Sequence, residues 1–290
     1  MSPIPSAPQA GDEHDERRAQ FLAANPVALA DAGNLAEFER EWSRIATLVP
    51  PARPLHVLDI GAGSGRWSIR WVEHGARVTA VDFDYDLLGI ARRRPGLEGN
   101  DRDTQPTQPA RLAQPAVFQC AVADATRLPF AADRFDIATL NSLLEHVPDW
   151  HASVAEAARV LAPGGVLVLH TSNRWHPFQG EVNNFPFYPW LPEPVKQRVL
   201  AWIMEHRRDL VNYTDYPAIH WFSYPGLKVA LRGVGLEPFD RLDLTDPASL
   251  TGVKAFGRFM LRSNGREPRG RSLYYFLAGT VSLYARKPLR

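Results

Sequence analysis

Four kinds of residue in this 290-residue chain stand at spacings that chemistry uses: a glycine ladder, carboxylates closing apolar runs, a histidine beside an acid, and a crowd of aromatics. The ladder is Asp59-Ile60-Gly61-Ala62-Gly63-Ser64-Gly65, preceded by the apolar run Leu55-His56-Val57-Leu58. That pattern reads as a buried strand running into a tight turn. Glycine at every second position removes each Cβ that would hold a ligand off the backbone, and permits positive φ where the chain folds beneath it. A helix expected over 64–74 then points its unpaired N–H groups at the same place. Asp82 closes the next apolar run about twenty residues later, the spacing at which a carboxylate takes the two ribose hydroxyls of an adenosyl ligand.

The dinucleotide pattern G-x-G-x-x-G fails here, because Arg66 stands where its last glycine should allow helix to pack on strand. A nicotinamide cofactor is therefore disfavoured. The phosphate-binding pattern fails as well, since no Lys-Ser or Lys-Thr follows the glycines. What remains is D-x-G-x-G-x-G, followed in order by Ala123-Asp124-Ala125-Thr126-Arg127-Leu128-Pro129-Phe130, by Leu144-Glu145-His146-Val147-Pro148, and by Pro163-Gly164-Gly165 before the strand-like Val166 to Thr171. Over residues 55–172 this series resembles the class I S-adenosylmethionine (SAM) dependent methyltransferases, and within them the small-molecule and quinol enzymes of the ubiquinone and menaquinone type. Shared order makes the resemblance specific, since each motif alone is weak.

The resemblance implies SAM as cofactor and S-adenosylhomocysteine as product. It places Asp59, Gly61, Gly63, Gly65, Asp82, Phe83, Asp124, Ala125 and Asn141 around that cofactor, with Asp124 accepting from the adenine amino group and the Ala125 backbone donating to the ring. A sulfonium methyl is already activated, so the protein must mainly align a nucleophile with it and exclude water. For a hydroxyl nucleophile a base helps. His146 is the first candidate, since imidazole is the side chain most often used as a general base; a role as a hydrogen-bonded brace for its loop stays open beside it. The quinol enzymes carry E-x-x-E-H, which can hold a divalent ion, but Ser142 occupies the first acidic place here. One carboxylate and one imidazole make a poor magnesium site, so no required metal is expected.

Alternating strand-like and helix-like runs imply an α/β fold with ligands at the carboxyl ends of a parallel sheet. The resemblance makes this a Rossmann-like, seven-stranded, mostly parallel sheet with helices on both faces and its last strand reversed. A first helix is expected to start at Asn34, with Leu35, Phe38, Trp42 and Ile45 on one face. Strands are expected over Leu236 to Leu244 and Leu273 to Ala285, with a helix over Gly226 to Gly235 before them. Residues 1–20 read as a disordered tail, 21–290 as one domain, and 94–116 as a mobile surface insertion poor in apolar residues.

Residues 174–224 hold twelve of the thirty aromatics, interleaved with prolines. They read as an aromatic, helical lid inserted after the fifth strand, with an amphipathic helix beyond Pro194 that carries Val195, Val199, Trp202, Ile203 and His206. Such a lid suits a flat or greasy acceptor, with Trp175, His176, Phe178, Tyr188, His220 and Tyr224 as candidate contacts; the alternative is a satellite core without a ligand.

A net charge of +1 argues against nucleic acid held by bulk electrostatics, and the polar first twenty residues do not read as a signal peptide. The single cysteine, Cys120, suits a cytoplasmic protein and falls in a core-like position. From Thr251 onward nine basic residues face Glu267 alone, and Lys254, Arg258 and Arg262 recur at helical spacing. A helix there would allow peripheral contact with an anionic membrane, or would pack on the sheet with its arginines solvated. Three functions stay open: O-methylation of a small hydroxyl or carboxyl acceptor, as in natural-product chemistry; C-methylation of a quinone-type acceptor; and SAM binding without turnover. The oligomeric state has no signature in the chain.

Overall fold

A computed structural model describes residues 32–49, 54–94, 96–97, 117–177, 182, 185, 187–207, 210, 217–244, 275 and 279–289, with side chains from 35 onward. The expected N-terminal tail, nearly all of the 94–116 insertion and the basic segment beyond Thr251 up to Arg271 lie outside these residues. Seven strands form one sheet: β1 (His56–Ile60), β2 (Arg77–Asp82), β3 (Phe118–Val122), β4 (Phe135–Asn141), β5 (Leu161–Ser172), β6 (Glu237–Asp240) and β7 (Thr280–Arg286). Their order is β3-β2-β1-β4-β5-β7-β6, parallel from β3 through β5, with β7 antiparallel to both of its neighbours. The expected seven-stranded sheet with its last strand reversed is what the chain forms. Among the described residues no helix is long and apolar enough to cross a membrane.

The strands are apolar on both faces, as a sheet covered on both sides requires. Val57, Val78, Ala80, Ile137, Val166 and Val168 join one core, while Leu58, Val81, Ala138, Leu140, Leu167 and Leu169 join the other. Helices α1 (Ala32–Ile45) and α2 (Arg66–Glu73) lie over the first core; α4 (Trp150–Val160) and α6 (Tyr224–Gly233) cover the second. Between α2 and α4 in the chain comes α3 (Tyr85–Arg92), capped by Asp84, whose carboxylate accepts from the N–H groups of Asp86 and Leu87. Asp149, the residue after the Leu-Glu-His-Val-Pro run, caps α4 by accepting from Ala152 N–H.

Several expected boundaries move for local reasons. Helix α1 begins two residues before Asn34, and Leu35 is exposed, whereas Phe38 and Ile45 are buried. Strand β6 ends at Asp240, short of Leu244, because that carboxylate accepts from the N–H groups of Leu242 and Asp243 and folds the chain into a turn. Helix α6 starts at Tyr224, earlier than Gly226, since Ser223 caps it by accepting from Gly226 N–H. Cys120 is only partly buried, with Arg92 Nε donating to its sulfur at 2.9 Å.

Helix α1 is docked by aromatics and one buried acid. Phe38 meets Trp71 edge-on at 4.9 Å between ring centres. Glu41, 3% exposed, accepts from the Tyr284 hydroxyl and from Arg44 and Arg241, each guanidinium at 3.0 Å, with His170 Nε2 at 3.7 Å. Burial pushes its carboxyl upward, but His170, Arg241, Tyr284 and Arg44 outweigh that and hold it below the ordinary range. Burial pushes His170 down to about 4, against the pull of Glu41. The unfolded chain therefore takes up a proton that the folded chain refuses between the ordinary imidazole value and about 4, so stability falls as pH drops through that window and levels below it. His170→Gln should remove up to about 1 kcal/mol of that loss per pH unit. Urea midpoints at pH 7, 6 and 5 check it; wild-type and variant curves of equal slope would show that His170 does not carry the acid sensitivity.

Candidate cofactor site

Strand order reverses at β1, which pairs with β2 on one side and β4 on the other, and such a switch point opens a crevice at the carboxyl ends of the strands. Register lines up the residues there. Ile60 pairs with Val81 and with Leu140, Asp82 with Val122, and Asn141 with His170. Gly61, Asp82, Ala123 and Asn141 therefore leave the sheet at one edge.

The glycine turn is built from backbone bonds to β2. Gly61 and Ala62 N–H groups both donate to the Val81 carbonyl, at 2.8 and 3.0 Å, and Gly63 N–H donates to Asp82 Oδ2 at 2.8 Å. Asp84 N–H donates to the other Asp82 oxygen at 2.9 Å. The three glycines all have positive φ, yet they make room for different things. A Cβ on Gly61 would meet Leu143 at 2.8 Å, and one on Gly65 would meet Ala91 and Leu97 at 3.0 Å. Only Gly63 faces open space, with nothing nearer than Leu87 at 4.0 Å. Two of the ladder's glycines thus serve packing of the chain on itself, and the open side of the turn is at Gly63.

Asp59 lies beneath the turn, 2% exposed, accepting from Ser68 Oγ at 2.7 Å and Thr139 Oγ1 at 2.6 Å. Burial raises its carboxyl above the ordinary range despite those bonds, and the Asp82 charge adds to the rise. Asp82 is raised too, first by burial and then by Asp84, against the bonds from Asp84 and Gly63 N–H. Asp124 is exposed and held low, because Thr126 donates to it through both its N–H and its hydroxyl. Phe83 is 51% exposed beside Asp82, Ala125 packs partly against the core, and Asn141 Oδ1 is buried with no hydrogen-bond partner.

These features define the ligand that fits. A crevice holding buried carboxylates, an orphaned carbonyl oxygen and bare backbone at Gly63 calls for hydroxyl and N–H donors and favours positive charge. The ribose hydroxyls, ammonium and sulfonium of SAM supply these. Its ribose would lie on Asp82, its amino-acid end by Gly63 and Asn141, and its adenine between Phe83 and Asp124.

The proposed acceptor side is less uniform. His146 is partly buried on the turn after β4, its N–H donating to Leu143 carbonyl at 2.9 Å. The entry and return of the 174–224 segment meet at the end of β5, where Asn173 bridges Phe222 and Arg174 N–H donates to Phe222 carbonyl at 2.8 Å. Trp175, 44% exposed, and His176 follow that junction; His220 precedes it, its N–H on the Glu145 carbonyl at 3.1 Å. Phe178 lies outside the described residues. Tyr188 and Tyr224 do not face this junction as free contacts. Tyr188 is fully buried in a small core with Val182, Ile203, Ala218 and Trp221, its hydroxyl donating to the Lys196 carbonyl. Tyr224 stacks on Tyr275 at 4.2 Å and donates to the buried Asp240. Tyr188 thus belongs to a small satellite core. The helix α5 (Glu193–His206) buries Lys196 and Ile203 and leaves Val195 and Trp202 exposed, unlike the face expected for it.

Sequence reasoning missed Ser68 and Thr139, which hold Asp59, and Ser142, which takes φ 48 at the strand end. It also missed that Glu145 is buried, accepting from Thr171 Oγ1 at 2.6 Å. No periodicity marks these residues, since each depends on a partner distant in sequence. Among the described residues no three His, Cys, Asp or Glu side chains gather as metal ligands.

Residues 58–169 match the family described as methyltransferase domain. That stretch of the chain is a methyltransferase domain. Ubiquinone biosynthesis O-methyltransferase of Coxiella burnetii is 37% identical over 119 residues, 41% of this chain and 44% of that protein. Demethylmenaquinone methyltransferase of Clavibacter sepedonicus is 36% identical over 128 residues, 43% of this chain and 45% of that one. The chain therefore matches somewhat under half the length of these relatives. A crystal structure of an S-adenosylmethionine dependent methyltransferase from Mesorhizobium loti aligns with TM-score 0.51 and 19% identity, over 86% of this chain and 98% of that one, a likeness of fold.

Two substitutions separate the turn's tasks. Gly63→Ala should keep the fold, at a strain of about 1 kcal/mol, and weaken SAM binding at least tenfold by filling the open side of the turn. Asp82→Ala removes the anchor of Gly63 and, if Asp82 also accepts from the ribose, should weaken SAM on the order of a hundredfold. Titration calorimetry reads both; unchanged affinity in a folded Asp82→Ala protein would remove Asp82 from the site.

Proposed function

We propose that this protein transfers the methyl group of SAM to a hydroxyl or carboxyl oxygen of a small aromatic or apolar acceptor. The observation carrying this reading is the crevice edge itself: Asp82 bound to the open Gly63, beside an orphaned Asn141 oxygen. Bound there, SAM supplies an electrophilic sulfonium methyl. The residues must then hold the acceptor oxygen in line and accept its proton. His146 is the proposed acceptor of that proton, and Trp175, His176 and His220 are the proposed contacts for the small molecule. Relatives named for ubiquinone and menaquinone support a quinone-type acceptor, and with it a second reading in which a ring carbon takes the methyl.

Incubation with methyl-labelled SAM and a panel of phenols, hydroquinones, carboxylic acids and quinone precursors tests both. Label in an ether or ester supports the first reading, and label on ring carbon the second. Failure of every acceptor, with SAM tightly bound, would mark a binding protein without turnover. His146→Ala should leave SAM affinity within threefold and lower turnover roughly a hundredfold. A loss below about threefold would make His146 a brace for its loop.

A further inference from the structure

The carboxylate of Glu145 is buried and cannot reach solvent, yet it sits one residue from His146 and beside the return of the 174–224 segment. We propose that Glu145 is a positioning residue, which locks the loop bearing His146 to the end of β5 and fixes His220 as its Nε2–H tautomer. The inference rests on the oxygen-methylating reading above and gives a role to Glu145, which that reading leaves without one.

Glu145 ties three segments together. Its carboxylate accepts from Thr171 Oγ1 at 2.6 Å and Ser172 Oγ at 3.4 Å, both on β5. Its backbone carbonyl accepts from Ile219 N–H at 2.8 Å and His220 N–H at 3.1 Å. Three residues further along the same loop, the Pro148 carbonyl lies 3.2 Å from His220 Nε2. A carbonyl oxygen only accepts, so Nε2 must carry the hydrogen, and the lone pair of the neutral ring belongs to Nδ1. Both anchors of His220, backbone and ring, therefore hang on a loop that the Glu145 carboxylate ties to β5. A buried carboxylate with hydroxyl donors is held firmly, because leaving it unpaired costs more than the bonds gain. The arrangement delivers two imidazoles to one loop, His146 and a His220 whose Nδ1 lone pair suits an acceptor hydroxyl.

The test needs no acceptor. Imidazole nitrogen shifts of ¹⁵N-histidine protein report tautomers, with His220 assigned through His220→Gln. Wild type should show His220 as Nε2–H. Glu145→Ala should give a mixed-tautomer signal and raise amide exchange at Ile219 and His220 at least tenfold, with SAM affinity within threefold by calorimetry. Glu145→Gln, which keeps an acceptor for Thr171, should restore the wild-type pattern. If Glu145→Ala does not fold, Thr171→Val removes the same bond and should reproduce its effect. An unchanged tautomer and unchanged exchange in these variants would overturn the inference. So would SAM affinity falling in step with the exchange, which marks general loosening, or Glu145→Gln behaving as Glu145→Ala. Failure of wild type to methylate any acceptor would instead count against the proposed function and leave these readings intact.

Discussion

The hydrogen bond from Gly63 N–H to Asp82 is the contact on which the rest of the crevice depends. It joins the turn after β1 to the end of β2, and it leaves the far side of Gly63 bare. The turn cannot close over Asp82 unless Gly61 and Ala62 first satisfy the Val81 carbonyl, and that requires positive φ at successive glycines. Asp59 supports this from below, where Ser68 and Thr139 donate to a carboxylate that burial alone would disfavour. Two buried acids held by hydroxyl and backbone donors are an unfavourable pair by themselves. Their field is complemented by a ligand that is cationic and rich in donors.

From that turn the construction spreads outward along the strand ends. The parallel register places Asp82, Gly61 and Asn141 at one level, and β5 continues the line to His170, Thr171 and Ser172. His170 faces the Glu41 network that docks α1, and its ring stacks on Trp67 of α2 at 6.2 Å. Thr171 and Ser172 hold Glu145. One strand end thus serves the helix layer through His170 and the loop of His146 through Thr171 and Ser172. Coupling of this kind needs no motion, only a shared rigid strand.

The small core around Tyr188 and Ile203 stands apart from the two large ones. It orders part of the segment between β5 and α6, and its Lys196 sits over the Trp221 ring at 5.0 Å, one residue from His220. Exposed Trp175, Phe187 and Trp190 mark the outer side of that segment. Bulky aromatics can therefore be read as a lid or as a core from composition alone, and burial separates those in the small core from those left exposed.

Much was legible in the chain because it is local. Glycines that need positive φ, acids closing apolar runs, and runs apolar enough for both faces of a sheet are properties of a few neighbouring residues, and from them came the α/β class, the turn at Gly61 to Gly65 and the place of Asp82 at a strand end. What the tertiary structure alone decided involves partners far apart in sequence. Thr139 reaches Asp59 across eighty positions, Tyr284 reaches Glu41 across 243, and Thr171 reaches Glu145 across 26. Tyr224 looked like an acceptor contact until Asp240 and Tyr275 claimed its hydroxyl and its ring. Side-chain type sets what a residue can bond to; only the packing of distant strands sets which partner it meets, because a buried polar group must find its complement wherever the fold brings one within reach.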